Sequence, residues 1–385
     1  MIRLSPRLTG TFIVWLLAMA AFLNGGAAQV FPNEVGIVVP PSSDGGNLPK
    51  LQLERELRVA PETGGRWAHT FGVTWSSDST ELAAYSVWSD LITVWNVEGT
   101  VLKEIPREGD HFTGTALAFV GGNSQLAARP VSYKDGDDAV DIYDIASGKV
   151  VHSLPGPGRP DQGSAVNWAW VLASSPDQSL LAVVYGRAAY HPVALYDTSD
   201  WQKKAEIRAP REIPAYNAQA LAFSADGRFL AIALPRDVQI FDTKTHQITQ
   251  TVHAYTSEER DCCINAVAFN PDASEVAVPA PLRNDTPIRV FRVADGTRIA
   301  GYPGQVQKNV WDMQWSPDGR FIAFTASSGL GLWNSPRLHL WSPSHPQERR
   351  AISVHADVGH LAFAPNGRYL AVNDGSYVTI FRIAD

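Results

Sequence analysis

Residues 220–234 read "ALAFSADGRFLAIAL": two apolar segments joined by a Ser-Ala-Asp-Gly tetrad. Asp and Gly suit a tight turn, and alternating apolar residues on both sides predict a β-hairpin. Clear further copies are "AVAFNPDASEVAVPA" (266–280), "MQWSPDGRFIAFTA" (313–326) and "LAFAPNGRYLAVND" (361–374). Weaker copies are "VTWSSDSTELAAYS" (73–86), "LAFVGGNSQLAARP" (117–130) and "SSPDQSLLAVVY" (174–185). The sequence therefore repeats one hairpin seven times.

Each hairpin belongs to a longer unit. The turn tetrads begin at residues 76, 121, 175, 224, 270, 316 and 364, at intervals of 45 to 54 residues. A third apolar segment with a late aromatic follows each hairpin, such as "LITVWNV" (91–97) and "VQIFDT" (238–243), and a fourth segment follows in six units. Four strands with this period are typical of a propeller blade. We therefore predict an all-β, seven-bladed β-propeller of four-stranded antiparallel blades.

The seventh unit is one strand short, because the sequence ends at "FRIAD". An incomplete blade would leave a sheet edge that can pair with other chains. The segment "KLQLERELRV" (50–59) alternates apolar and charged residues and precedes the first blade. We expect this N-terminal strand to supply the missing outer strand and close the ring.

With its "SPDG"-like hairpins, the chain resembles the WD40-repeat β-propellers over residues 50–385, with degenerate WD motifs. Aromatic-Asp pairs stand where that family has Trp-Asp: Tyr143-Asp144, Tyr196-Asp197 and Phe241-Asp242. The other units depart from the pattern, with Trp95-Asn96, Phe291-Arg292, Trp341-Ser342 and Phe381-Arg382. The family's Gly-His pair before the first strand is nearly absent, and Gly359-His360 lies inside a strand instead. Exported bacterial propellers of the periplasmic lactonase and quinoprotein-like types share the architecture.

The N-terminal segment indicates export. Arg3 and Arg7 precede an apolar run from Phe12 to Leu23, and small residues follow at 25–28. This is the layout of a secretory signal peptide, and the run is shorter than the ~20 residues that a spanning helix needs. We assign residues 1–28 to a signal peptide, 29–49 to a linker or N-terminal arm, and 50–385 to the propeller. The expected location is periplasmic or secreted, with retention as an uncleaved anchor as the alternative.

The charge balance is acidic. The chain has 32 basic and 39 acidic residues, and its formal net charge is −7. No basic stripe supports nucleic-acid binding. No second apolar stretch of comparable length follows the signal, so we expect no membrane span after cleavage. We also expect the propeller to be monomeric.

Function is expected on the face that carries the long connections. The hairpin turns are short and uniform, whereas the second-to-third and interblade connections are long and varied, and loops on a rigid scaffold usually carry function. Tyr216 and Trp333 lie in such connections beside Pro or Gly, and Arg159, Arg211 and Arg260 lie in the same set. Interface hot spots favour Trp, Tyr and Arg. We predict these five residues as anchors for a protein or peptide partner.

The two cysteines, Cys262 and Cys263, are adjacent and enter the innermost strand of the fifth unit. In an oxidising compartment they can form a strained disulfide with each other, which would fix a local bend. Two buried thiols and an exchange-active or metal site are the alternatives. There is no C-x-x-C or C-x-x-C-H motif, so we assign no zinc, haem or other cofactor.

Three other groups of residues have chemistry that suits a structural or functional role. Most of the tryptophans in or beside strands are interpreted as packing between blades; they are Trp75, Trp95, Trp168, Trp170, Trp311, Trp315 and Trp341. A calcium site at Asp135, Asp137, Asp138 and Asp141 lacks the Glu that completes an EF-hand loop. The loop histidines could pair with nearby acids, Asp110, Glu258, Glu259 or Asp261, as a catalytic set; they are His111, His191, His253 and His355.

No reaction motif appears: there is no G-x-S-x-G elbow and no P-loop. The leading hypothesis is an exported, non-catalytic propeller that binds a protein or peptide. The alternatives are a lactonase-like periplasmic hydrolase with its site at the channel mouth, and an accessory subunit of a periplasmic redox or envelope complex.

Overall fold

The structure is a computed structural model that describes residues 48–59, 70–86, 91–106, 116–129, 138–156, 169–185, 193–207, 218–256, 259, 264–280, 286–304, 310–328, 335–354, 358–374 and 377–384. All of these belong to the unit Val38–Asp385. The described residues contain no helix long and apolar enough to cross a membrane.

Twenty-eight strands follow one another along the described chain. Blade one contains β2 (Thr70–Trp75), β3 (Glu81–Ser86), β4 (Leu91–Asn96) and β5 (Val101–Pro106), and blade two contains β6 (Leu117–Val120), β7 (Gln125–Ala128), β8 (Asp138–Asp144) and β9 (Lys149–Pro155). Blade three contains β10 (Ala169–Ser174), β11 (Leu180–Tyr185), β12 (Val193–Asp197) and β13 (Lys203–Ile207), and blade four contains β14 (Ala220–Phe223), β15 (Phe229–Ala233), β16 (Asp237–Asp242) and β17 (Gln247–His253). Blade five contains β18 (Ala268–Phe269), β19 (Glu275–Pro279), β20 (Ile288–Arg292) and β21 (Arg298–Gly301), and blade six contains β22 (Val310–Trp315), β23 (Ile322–Ser328), β24 (Ser335–Trp341) and β25 (Arg349–Ser353). Blade seven contains β26 (Val358–Phe363), β27 (Tyr369–Asp374), β28 (Tyr377–Ala384) and β1 (Lys50–Arg58).

The blades form a closed ring. Each is a four-stranded antiparallel sheet, with its strands paired in chain order except for β1. The first strands contact one another in sequence, from β2 to β6 and onward to β26, and β26 contacts β2 again. These first strands are therefore the innermost and surround a central channel. The prediction of a seven-bladed propeller is confirmed.

The core consists of seven apolar layers, one between each pair of neighbouring blades. The layer between blades five and six, for example, joins Val290 and Tyr302 to Phe324 and Trp341. Alternate residues of a strand point to opposite faces of its sheet, so each blade contributes to two layers. Trp75, Trp95, Trp315 and Trp341 are buried in these layers, as expected for packing residues.

The strand β1 lies at the outer edge of blade seven. It pairs antiparallel with β28 from Lys50, opposite Ala384, to Arg58, opposite Tyr377. Leu57 is 6% exposed and packs in the layer between blades seven and one. One strand thus joins the N-terminal part of the described chain to its C-terminal blade. That this strand holds the ring closed stays a prediction.

Four of the seven hairpin turns share one hydrogen-bond pattern. Ser224 Oγ donates to Asp226 Oδ1 (2.6 Å) and accepts the Phe229 N–H (2.9 Å), while Asp226 Oδ1 also accepts the Arg228 N–H (3.0 Å). The bond from Ser224 is the main reason why the pKa of Asp226 lies below its usual value. Gly227 has a φ of 71°, which glycine adopts without strain. The turns at Ser76, Ser175 and Ser316 repeat the pattern.

The aspartates of the aromatic-Asp pairs hold the third-to-fourth turns. Asp197 Oδ1 accepts from the backbone N–H (2.9 Å) and the hydroxyl (2.6 Å) of Ser199. Asp242 Oδ1 accepts the N–H groups of Lys244 and Thr245, each at 2.9 Å. These turns and the hairpin turns lie at the same end of the ring, which we call the turn face. The opposite end, with the second-to-third and interblade connections, is the loop face.

Candidate functional site

The partner anchors predicted from sequence lie outside the described residues. This applies to Tyr216, Trp333, Arg159, Arg211 and Arg260. Cys262 and Cys263 also lie outside them, so their predicted disulfide stays a prediction. The described part of the loop face nevertheless contains features that define a candidate site.

Bulges interrupt several innermost strands near their loop-face ends. Pairing shifts between Phe71 and Val73 in β2, between Ala169 and Val171 in β10, between Val310 and Asp312 in β22, and between Val358 and Leu361 in β26. A bulge leaves a residue out of the ladder and changes the direction of its side chain. The innermost strands of four blades therefore share an irregular pairing near the loop face.

Trp311 is the residue left out of the ladder in β22. Its side chain is 47% exposed, although it lies on an innermost strand. Trp311 is thus an exposed aromatic residue near the loop-face end of an innermost strand, beside the central channel. Trp311 therefore differs from the buried strand tryptophans that pack between blades, and the bulge is the physical reason.

Polar side chains of β22 hold the neighbouring innermost strand in place. Asp312 Oδ2 accepts the Leu361 N–H (3.0 Å) and lies 3.4 Å from His360 Nδ1. Gln314 bonds the same strand twice: its amide donates to Leu361 O (3.1 Å) and accepts the Phe363 N–H (3.0 Å). These bonds tie β22 to β26 where no strand ladder joins them. They hold the strand segment next to Trp311 in place.

A second set of bonds fixes the bulge in β26. Asn373 Oδ1 accepts the N–H groups of Gly359 (2.9 Å) and His360 (2.7 Å). His360 and Asp312 are each about a quarter exposed, at 23% and 22%. We call Trp311, Asp312, His360 and Asn373 the channel-mouth site. It offers one exposed aromatic surface and a partly exposed imidazole on a frame of hydrogen-bonded polar side chains.

A buried ion pair anchors the interblade connection that contains the cysteines. Arg289 of β20 donates to both carboxylate oxygens of Glu259, and it donates to Ala254 O (2.8 Å) as well. The side chains of Arg289 and Glu259 are only 9% and 15% exposed. Beyond the cysteines, Ile264 is fully buried between blades four and five. The residues on either side of segment 260–263 are thus fixed to the scaffold.

The candidate acid–base set is not formed where it is described. His253 Nδ1 lies 2.9 Å from Asp237 Oδ1 and is 79% exposed, while Glu259 pairs with Arg289 instead. His111, His191 and His355 lie outside the described residues. Asp141, from the calcium candidate, accepts the Ser153 hydroxyl (2.7 Å). Within the described ranges, no group of three or more His, Cys, Asp or Glu residues is arranged to hold a metal.

Comparison with known proteins supports the class of fold. Residues 296–333 match the family model "WD domain, G-beta repeat". The match starts in the turn before β21 and continues through β22 and β23, so the sequence repeat spans two blades. The chain is a seven-bladed β-propeller with a WD40 repeat, as the resemblance implied. No curated protein matches the chain.

Proposed function

We propose that this chain is an exported, non-catalytic propeller that binds a protein or peptide partner on its loop face, with Trp311 at the centre of the contact. The observation that carries the proposal is the exposure of Trp311 at a bulge in the innermost strand. Large aromatic side chains near the middle of an interface contribute most to binding.

The rigidity of the site supports binding rather than a moving catalytic group. Asp312 already accepts the Met313 N–H with Oδ1 (2.7 Å) and the Leu361 N–H with Oδ2. It therefore acts on Trp311 by positioning the strand. An aromatic side chain on a preorganised base loses little conformational freedom when a partner binds. The anchors predicted from sequence, including Trp333 and Tyr216, are expected to enlarge the contact.

Export is part of the proposal because the N-terminal segment has the layout of a signal peptide. We expect residues 29–385 in the periplasm or the medium. Cell fractionation with an antibody against the propeller tests this directly. Recovery of the chain with its first 28 residues in the cytoplasmic fraction would contradict export.

Binding is tested by crosslinked capture with the tagged mature protein from its own extracytoplasmic fraction, followed by titration of the identified partner. Trp311→Ala is compared with Leu102→Ala, because both side chains are 47% exposed and Leu102 lies on the outer strand β5. We expect Trp311→Ala to weaken binding at least ~30-fold, the equivalent of about 2 kcal/mol, and Leu102→Ala to leave it unchanged. Equal affinities for the two variants would contradict the central role of Trp311.

The hydrolase alternative uses the same channel mouth, where His360 and Asp312 form the only described His–acid pair on innermost strands. His360→Ala would abolish hydrolysis if this pair were catalytic. The binding proposal instead predicts that partner affinity depends on Trp311 more than on the imidazole. The accessory-subunit alternative predicts that captured partners contain a redox cofactor.

A further inference from the structure

His339 is a titratable residue buried in an apolar layer of the propeller. It lies on β24, opposite Phe324 of β23 and Ala351 of β25, and its side chain is 5% exposed. The imidazole stacks on the Phe324 ring at a centroid distance of 4.7 Å and an angle of 7°. Neither ring nitrogen has a hydrogen-bond partner among the described residues. A buried polar group without a partner is costly, and a charged one more so.

The surroundings of His339 oppose its protonation. Burial, together with the charge of Arg337 on the same strand, lowers the pKa of His339 to about 4. The other titratable groups at this cluster are Arg349 at the start of β25 and the phenol of Tyr302, whose pKa is raised by burial. Among the described residues, the charged groups that act on His339 and Tyr302 are thus the cations Arg337 and Arg349, which do not compensate the charge of an imidazolium.

Tyr302 covers the imidazole from blade five. Its ring meets His339 edge-on at 6.3 Å, and it makes similar contacts with Phe324 (5.2 Å) and Trp341 (5.7 Å). The Tyr302 N–H donates to Ile288 O (3.0 Å). Departure of Tyr302 would expose His339 to water on this side.

Tyr302 also begins the connection that leads to the channel-mouth site. It follows β21 directly, and the connection ends at Val310, next to Trp311. Two residues beyond Tyr302, Gly304 packs so closely on the ring that an added Cβ would lie 2.3 Å from a ring carbon. The chain therefore turns back across the Tyr302 ring. Movement of this ring must move the start of the connection.

We propose that Tyr302 and His339 form an acid-sensitive latch: protonation of His339 favours a state in which Tyr302 has left the layer and Gly304, which packs on its ring, has moved with it. The consequence for binding, weaker capture of the partner at acidic pH, rests on the proposed function. The latch itself does not depend on the proposed function.

The size of the effect follows from proton linkage. In the open state the imidazole has its ordinary pKa of about 6.5, whereas in the closed state it is about 4. The open state binds more protons between these values, so opening is favoured as the pH falls. Between pH 7.5 and pH 5.0 the opening equilibrium should rise about 30-fold, toward a limit of about 300-fold at lower pH.

Amide hydrogen exchange measures this opening without a partner. The reporter is the Tyr302 amide, corrected for the intrinsic effect of pH, and the reference is the Val97 amide, which donates to Thr80 O (2.9 Å) in blade one. We expect the Tyr302 amide to open about 30-fold more at pH 5.0 than at pH 7.5, relative to the reference. A ratio within about twofold of one in the native chain overturns the latch.

Variants identify the titrating group. His339→Phe keeps an aromatic ring and removes the proton, so its Tyr302 opening should not depend on pH. His253→Phe is the matched control, because His253 is 79% exposed, and it should keep the native response. If His339→Phe does not fold, His339→Leu serves the same purpose. An unchanged acid response in a folded His339 variant also overturns the latch, whereas loss of partner capture in Trp311→Ala tests only the proposed function.

Discussion

Replacing Leu57 by alanine tests whether β1 holds the ring closed. Leu57 is 6% exposed and packs in the layer between blades seven and one, with Trp95 and Ile380. Leu53 lies on the same strand but is 37% exposed, so Leu53→Ala is the matched control. Both changes remove the same atoms from β1 and leave its backbone pairing with β28 intact.

The magnitudes follow from burial. A Leu→Ala change in a packed core costs about 2–5 kcal/mol, since a cavity is left behind. At the largely solvated Leu53 position the cost should stay below about 1 kcal/mol. Deleting residues 50–59 removes both Leu57 and Val59, each worth about 1.5–3 kcal/mol, as well as the ladder with β28. Against a typical total of about 5–15 kcal/mol, that loss should abolish cooperative folding.

Urea unfolding followed by tryptophan fluorescence measures the free energies. We expect Leu57→Ala to lower the midpoint clearly at an unchanged m-value, Leu53→Ala to lower it little, and the deletion variant to show no cooperative transition. Equal shifts for the two alanine variants, or an unchanged melting curve after deletion of residues 50–59, would refute the closing role of β1.

Three further predictions concern other parts of the scaffold. Ser316→Ala should cost about 1–3 kcal/mol in urea unfolding, because the hydroxyl accepts the Phe321 N–H (3.1 Å) in a turn where it is 1% exposed; Ser344→Ala, at an exposed serine, is the control. Glu259→Leu should lower the free energy of unfolding by about 3–5 kcal/mol, because it leaves the buried charge of Arg289 without its carboxylate partner. Adding Arg289→Met should recover stability. A double variant that loses as much stability as the two single variants together would contradict this. The pKa of Asp226 is lowered in the folded state, so its contribution to stability is present above the unfolded-state pKa of about 3.9. This contribution is lost as the pH falls through and below that value. Urea midpoints between pH 3 and 6 should therefore depend less on pH in Asp226→Asn than in the native chain.

Sequence was sufficient for the architecture because the repeat constrains every blade in the same way. Each hairpin needs a residue such as Gly227 at positive φ and apolar residues on both sheet faces, and these signals recur with a regular period. The third strands end on buried aromatics such as Phe241, which the pattern also indicated. Periodic features of this kind survive in the sequence because every copy must pack against two neighbours.

The channel-mouth site was missed because it depends on a local interruption of the pattern. Trp311 reads as one more aromatic in a strand, and only the shifted pairing between Val310 and Asp312 exposes it. The burial of His339 could not be predicted either, because a His in a strand does not indicate which residues surround it. Nor does sequence distance suggest that Arg289 pairs with Glu259, thirty residues earlier.

An alignment of the seven copies contains a signal that could have found the site. The residue immediately before each turn tetrad is aromatic in most copies and fills a layer between blades. The residue five positions before the tetrad has no common chemistry; in chain order it is Phe71, Ala116, Trp170, Gln219, Asn265, Trp311 and Gly359. A position that must pack the same layer in every blade should be uniform.

Variation at this position therefore indicates that its side chain is not needed for packing between the blades. Three of the residues, Trp170, Trp311 and Gly359, lie in the bulged segments of their strands, and Asn265 donates to Val310 O (2.8 Å) across to blade six. The loop-face end of the innermost strands is thus where the copies are free to differ. In a propeller whose other positions are constrained by packing, such a ring of non-equivalent residues around one channel is where selectivity for an asymmetric partner can arise.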